Sequence, residues 1–330
     1  YTATPFANIF IDPDKEDDVW GEDLFPRDFI IGLDAPSNYF GGRKVFLDGI
    51  PDNDGEPEYV RFIDDSEDIL PVKHKIDHEV VELPPSLSFA LRTFLVARAI
   101  RNLRGQSDKH ASMLVNASRF TRVQGILRNR LHEILDDIRN ALRVNGAGGT
   151  EADRDPQIFE LKRVWRDEFV NSGFDWSEVR AALYNAVASA KVVEVNSARN
   201  GLDYSSSGKL GITVIAVGGF SLSRGLTLEG LTTTWFLRNT MMYDTLMQMG
   251  RWFGYRSGYD DLCRIWMPRD AVSWYSHIAS ATEELHQELR LMESAKATPK
   301  QFGLSVRSHP SSLMVTARNK LGSGLKTVAV

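Results

Sequence analysis

Cysteine is almost missing from this chain: Cys263, in the apolar context DLCRIWM, is the one thiol in 330 residues. A lone thiol excludes an intramolecular disulfide framework and favours a reducing compartment, so the cytosol is the expected location. Long hydrophobic runs are missing too. No apolar stretch approaches the roughly 20 residues that span a bilayer, and the start lacks the charged and apolar regions of a signal peptide, so no membrane partner is expected. There is no internal repeat, and no Cys or His cluster dense enough to suggest a metal centre. Methionine is absent from position 1, where Tyr1 opens directly into structured-looking sequence; we expect a fragment of a longer chain.

What is present is ordinary globular material, 42% hydrophobic and 25% charged, enough to bury a sizeable core in two lobes or in one lobe with large insertions. The net charge of -5 hides an asymmetry. Residues 12–82 hold 21 acidic against 7 basic side chains, whereas residues 91–143 hold 11 basic against 4 acidic. A basic segment in an acidic protein is either a polyanion footprint or the solvated faces of arginine-rich helices.

Residues 1–82 read as a loop-rich acidic segment, with turn signals such as PDNDGEPE and DDSED around short apolar pieces. LPPSLSFALRTFLVARAIRNLRG reads as a helix: Pro84, Pro85 and Ser86 start it, Leu87, Leu91, Phe94 and Leu95 share a face, and Gly105 ends it. Its arginines, Arg92, Arg98, Arg101 and Arg104, spread over the other faces. ASMLVNAS is a buried-strand pattern, followed by a long helix with Val123, Leu127, Leu131, Ile134, Leu135, Ile138 and Leu142 at helical spacing. A flexible break, RVNGAGGTEADRD, precedes an all-helical insertion within 146–189. KVVEV, ITVIAV, TTTWFL and LCRIWM follow as β-rich runs, with a helix at about 241–252 before the last. Continuously apolar strands interleaved with helices predict an α/β fold with a parallel sheet covered on both faces, in 83–145 and 190–268, with a helical C-terminal extension over 269–330.

In such a sheet, ligands sit beyond the carboxyl ends of strands, where glycines let backbone amides approach an anion. VGGFSLSRGLTLEGL, holding Gly218, Gly219, Ser223, Arg224 and Gly225, is placed for that; a plain tight turn with a solvated Arg224 is the alternative. MQMGRWFGYRSGYDDL adds Arg251 and Arg256 among aromatic residues, where a guanidinium either stabilises a transferring phosphoryl group or stacks.

Together these runs resemble the second RecA-like lobe of a superfamily 2 helicase or translocase. TATP at Thr2–Pro5 resembles the motif that ends the first lobe, SMLVNASRF motif four, VIAVGGFSLSRGLTL motif five and QMGRWFGYR the arginine-finger motif six. More narrowly, DLFPRDFIIGLDAPSNYFGG, LSRGLTLEGL, YDTLMQMGRWFGYRSGYDDLCRIW and FGLSVRSHPSSLMVTARNK are similar to the bacterial Z-one domain family, which carries an endonuclease label and is found joined to superfamily 2 segments. The resemblance implies a DNA-acting ATPase in a defence or restriction-like system, with ATP and Mg2+ shared with a first lobe of the same protein, and other defence proteins as partners. Gln248 and either Arg251 or Arg256 would act on the γ-phosphate. Gly219, Ser223, Arg224, Gly225, Thr227 and Gly250 would line the ATP side. Ser118, Arg119 and Arg122 would hold nucleic acid. Apart from the resemblance, the basic C-terminal set with Arg307 and Arg318 either holds a nucleic-acid strand or serves packing and a turn. The chain departs from the helicase pattern in three ways: no GxxxxGK[ST] loop, Gly254 where a second motif-six arginine usually stands, and Thr227 in place of an acidic residue. Alone it is therefore expected not to hydrolyse ATP. The alternatives are a DNA endonuclease or a catalytically silent binding module.

Two other sets have weaker claims. His74 and His78, four apart in KHKIDHEV, have one spacing used by zinc, but a surface location is the simpler expectation. Asp155, Glu160 and Lys162 in DPQIFELK echo a nuclease triplet, yet sit on a helical pattern rather than a strand.

Overall fold

The computed structural model describes residues 26, 28–52, 55–195, 204, 211–219, 227–237, 243–302 and 304. Ser223, Arg224, Gly225, Arg307, Arg318 and the TATP run lie outside them. Two compact units emerge, one from residues Pro51–Arg238 with Arg251–Arg269, the other from Tyr1–Ile50, Asn239–Gly250 and Asp270–Val330.

The first unit is built on strands β1 (Val60–Phe62), β2 (Ala111–Asn116), β3 (Lys191–Val195), β4 (Thr213–Gly218), β5 (Leu231–Phe236) and β6 (Arg264–Met267). They form one six-stranded sheet in the order β1-β6-β5-β2-β4-β3, and every pairing is parallel. Every residue of β2, β4, β5 and β6 is buried, as runs apolar on both faces require. Helices α1 (Pro85–Leu103), α2 (Thr121–Asn145), α3 (Pro156–Glu168) and α4 (Trp176–Ala188) flank it, with α1 packed on the other three. The parallel α/β class is as the residue pattern predicts, and is consistent with a RecA-like sheet.

Proline places α1. Pro85 opens it, but the cap comes from afar: Asp65 accepts from the Ser86 backbone N–H at 2.6 Å and from its hydroxyl at 2.7 Å. Two expectations change. The arginines of α1 are not spread over solvated faces, since Arg98 and Arg101 are 4% and 2% exposed. Arg98 donates to the carbonyls of Gln106, Ser107 and Lys109, and Arg101 to those of His110 and Gly230. Arg104 pairs with Asp261. These cations close the turn before β2 and the start of β5, because exposed carbonyls at a buried strand end need donors. The break after α2 is also ordered, running through a 3-10 turn at Gly149–Arg154.

In the second unit α5 (Tyr243–Met249) is shorter than expected, ending before Gly250. Helix α6 (Arg269–Ser294) buries Val272, Tyr275, Ile278, Leu285, Leu289 and Met292 along one stripe. Tyr275 stacks on Phe46 at 5.0 Å and donates its hydroxyl to Leu246 O, while Arg43 and Arg290 pair with Glu283 and Asp34. The short α7 (Pro299–Phe302) follows.

Candidate functional site

The sheet order singles out the end of β2. The chain leaving β2 travels toward the β3 edge, whereas the chain leaving each of its neighbours, β4 and β5, travels toward the opposite edge. Such a reversal opens a crevice outside the carboxyl ends of the strands.

At that point Asn116 lies between Gly218 of β4 and Phe236 of β5. The next residues, Ala117 to Phe120, turn into α2, whose first turn has no side-chain cap. Its leading N–H groups are thus open to an acceptor, and the helix dipole favours a negative one. Ser118 is buried at 1% exposure; its hydroxyl accepts from the Phe120 N–H at 3.1 Å. Arg119 is exposed, its guanidinium 4.7 Å from the Phe120 ring centre. Gly219 presses on this turn: a Cβ there would stand 2.6 Å from Ser118 O and 2.8 Å from the Gln124 amide nitrogen, so only glycine fits without displacement. Gly219 and the β2–α2 turn therefore share one edge.

The structure adds contacts that no local pattern signals. His74 reaches Ser118 Oγ through Nε2 at 2.7 Å and Pro71 O through Nδ1 at 2.7 Å. His78 Nε2 donates to Ile69 O, and its ring is 5.6 Å from that of His74. Both histidines are half-buried, not solvated on a surface, because the turn-rich segment before α1 folds back onto the start of α2. Arg122 is engaged in the same contact, paired with Glu79 at 2.5 Å. Gln124 donates to Ser118 O at 2.9 Å. Two buried acceptors here, Asn116 Oδ1 and Gln124 Oε1, have no partner.

The arginine-rich segment lies differently. Trp252 packs edge-on against Phe236 at 5.5 Å, near the carboxyl end of β5, and Arg251 precedes it. Arg251 is half-buried, and desolvation lowers its guanidinium from the usual arginine value. Arg256 folds back on its own turn, donating to the carbonyls of Trp252 at 2.9 Å, Tyr255 at 3.1 Å and Arg251 at 3.3 Å, around a Gly254 with φ +142°. The following residues run to the opposite edge, where Gln106 and Arg104 hold Ser257 O and Gly258 O. Thr227 is exposed just before β5, at that same amino-terminal edge, so it is not gathered with Gly219. Gln248 and Gly250 belong to the second unit, at the end of α5, where the Gly250 N–H caps Leu246 O.

The nuclease-like triplet is not assembled. Asp155 caps α3 through the N–H groups of Gln157 and Ile158, Glu160 pairs with Arg163, and Lys162 with Asp153. Among the described residues no group of three or more His, Cys, Asp or Glu is placed to hold a metal. Nor is any described helix long and apolar enough to cross a membrane.

No curated protein and no solved structure matches the chain, and the superfamily 2 resemblance gains no support from relatives. The Z1 domain matches over residues 86–313, a span running from the start of α1 past α7 and covering more than half of the sequence. The chain belongs to the Z1 domain family.

Proposed function

We propose that this chain acts on DNA as part of an endonuclease in a bacterial defence or restriction-like system, taking a phosphate of its ligand at the carboxyl end of β2. The endonuclease label of the family supports the activity. The carrying observation is local: the uncapped start of a 25-residue helix with the exposed Arg119 beside it, at the point where strand connections reverse. Amides and a guanidinium together are the usual means of holding a phosphate oxygen. A second reading, favoured by Arg251 next to Trp252 at the end of β5, makes cleavage ATP-dependent. Arg251 then supplies charge to a triphosphate completed by another lobe, with Mg2+ held elsewhere, and Arg256 shapes the turn.

The test uses the natural protein that carries this chain, supercoiled plasmid and Mg2+, with and without ATP. Nicked or linear product is expected, falling on the order of tenfold in Arg119→Ala, the cost of about one charge-assisted contact. Intact plasmid under every condition overturns the endonuclease reading. ATP turnover that is the same in Arg251→Ala as in the parent overturns the second.

A further inference from the structure

Many exposed cations of the first unit are spent on neighbouring carboxylates: Arg130, Arg154 and Arg166 pair with Glu133, Glu151 and Asp167. One group differs. Lys73, Lys75 and Arg119 are exposed, and among the described residues none of them has an ion-pair partner. They are not scattered. Lys73 and Lys75 flank His74, whose Nε2 lies 2.7 Å from Ser118 Oγ, and Arg119 directly follows Ser118. Successive Cα atoms are about 3.8 Å apart, so this one contact gathers three cations from parts of the chain 44 residues apart. His74 turns into the fold and leaves both lysines in solvent. The Phe120 ring carries the Arg119 guanidinium at 4.7 Å and meets the His74 ring edge-on at 5.9 Å. A guanidinium braced on a ring rather than held by a carboxylate keeps its N–H donors for a ligand.

We propose that Lys73, Lys75 and Arg119 form one surface that takes the sugar–phosphate backbone of a nucleic acid, with the segment before α1 supplying two of the three charges. The proposal deepens the DNA reading above and rests on it, but needs no contact with the amides of α2. Lys73 and Lys75 lie before the span matched by the Z1 domain. Two carboxylates share the area: Glu79 is taken up by Arg122, and Asp77 is exposed, so residues 72–79 and 118–122 set four cations against two carboxylates. A local excess of positive charge in a chain of net charge -5 favours a polyanion over an ordinary protein face. The same two stretches hold no Asn or Gln, the side chains that pair with adenine edges, whereas Val72 and Ile76 are 39% and 59% exposed beside the lysines. Cations with apolar area between them suit a backbone and its sugars and carry no reading of sequence.

The experiment measures the affinity of the natural protein that carries this chain for labelled single-stranded and duplex DNA of two unrelated sequences, over a range of salt. The parent is compared with the double variant Lys73→Gln, Lys75→Gln, with Arg119→Gln, and with Lys191→Gln as a control at the amino-terminal end of β3. Log affinity against log salt is expected to lose about 0.7 of slope on a single strand, or about 0.9 on a duplex, for each cation removed from a phosphate. The double variant therefore loses about twice what Arg119→Gln loses, equally for both sequences, while Lys191→Gln keeps the parent slope. The form bound more tightly by the parent identifies the strand state. A parent-like slope in the double variant overturns the surface and leaves the DNA reading standing. Losses that differ between the two sequences overturn backbone recognition, and displacement of DNA by polyglutamate at equal charge overturns nucleic acid as the occupant. A parent that binds neither form of DNA overturns the DNA reading and the surface with it.

Discussion

Arg101 shows how little a residue's type says about its task. It is a cation in a segment of high positive charge, yet it is buried against the Tyr259 ring at 4.2 Å, with its guanidinium on His110 O, Gly230 O and Gln106 Oε1. Gly230 beside it has φ +65°, and a Cβ there would collide with His110 O, so the strand starts meet at a spot with no spare room. Arg101→Met is expected to destabilise the fold by roughly 3 kcal/mol, because each buried acceptor left without a donor costs about 1–3 kcal/mol. Urea unfolding measures this. A loss under about 0.5 kcal/mol, the range of ordinary surface changes, would mean that the cation is solvated after all. Glu168 is the carboxylate counterpart: at 4% side-chain exposure it accepts from Arg61 and Arg264, tying the end of α3 to β1 and β6.

At the level of elements, caps decide where helices begin. Asp155, which in the sequence fits a nuclease echo, stands before Pro156 at the start of α3. Its contacts with Gln157 N–H, Ile158 N–H and Asn145 Nδ2 resolve the choice in favour of a cap. Asp155→Ala is expected to cost about 1 kcal/mol and Asp155→Asn much less, since asparagine caps nearly as well. Equal unfolding midpoints for the two variants would contradict this. The cap of α1, by contrast, comes from Asp65, 21 residues upstream, and no local rule points to it. The β2–α2 turn is a third case. Its strand and helix are plain in ASMLVNAS and the spacing after it, whereas its packing partners, Gly219 and His74, arrive from other parts of the chain.

For the whole molecule, the lone cysteine offers a built-in report on unfolding. Cys263 is 3% exposed, and burial pushes its thiol up to about 12. The folded thiol thus stays protonated across the pH range in which an unfolded cysteine, with a value of about 8.5, ionises. Stability is accordingly expected to decline as pH rises above about 8.5, because the unfolded chain then releases a proton that the folded one keeps. Alkylation at pH 8 should follow the rate or extent of opening, and labelling in denaturant should be complete. Fast labelling of the native protein would show that β6 opens locally.

Sequence by itself determined the α/β class, the succession of strands and helices and the parallel sheet, because apolar periodicity and continuous apolar strands are properties of neighbouring residues. Tertiary structure alone decided that β2 lies between β4 and β5, that Arg98 and Arg101 serve carbonyls within the fold, that Arg256 closes its own turn, and that His74 reaches Ser118. The physical reason is one of range. A polar side chain gains only from the particular donor or acceptor brought within about 3 Å of it, and which group arrives there depends on the burial of residues far along the chain.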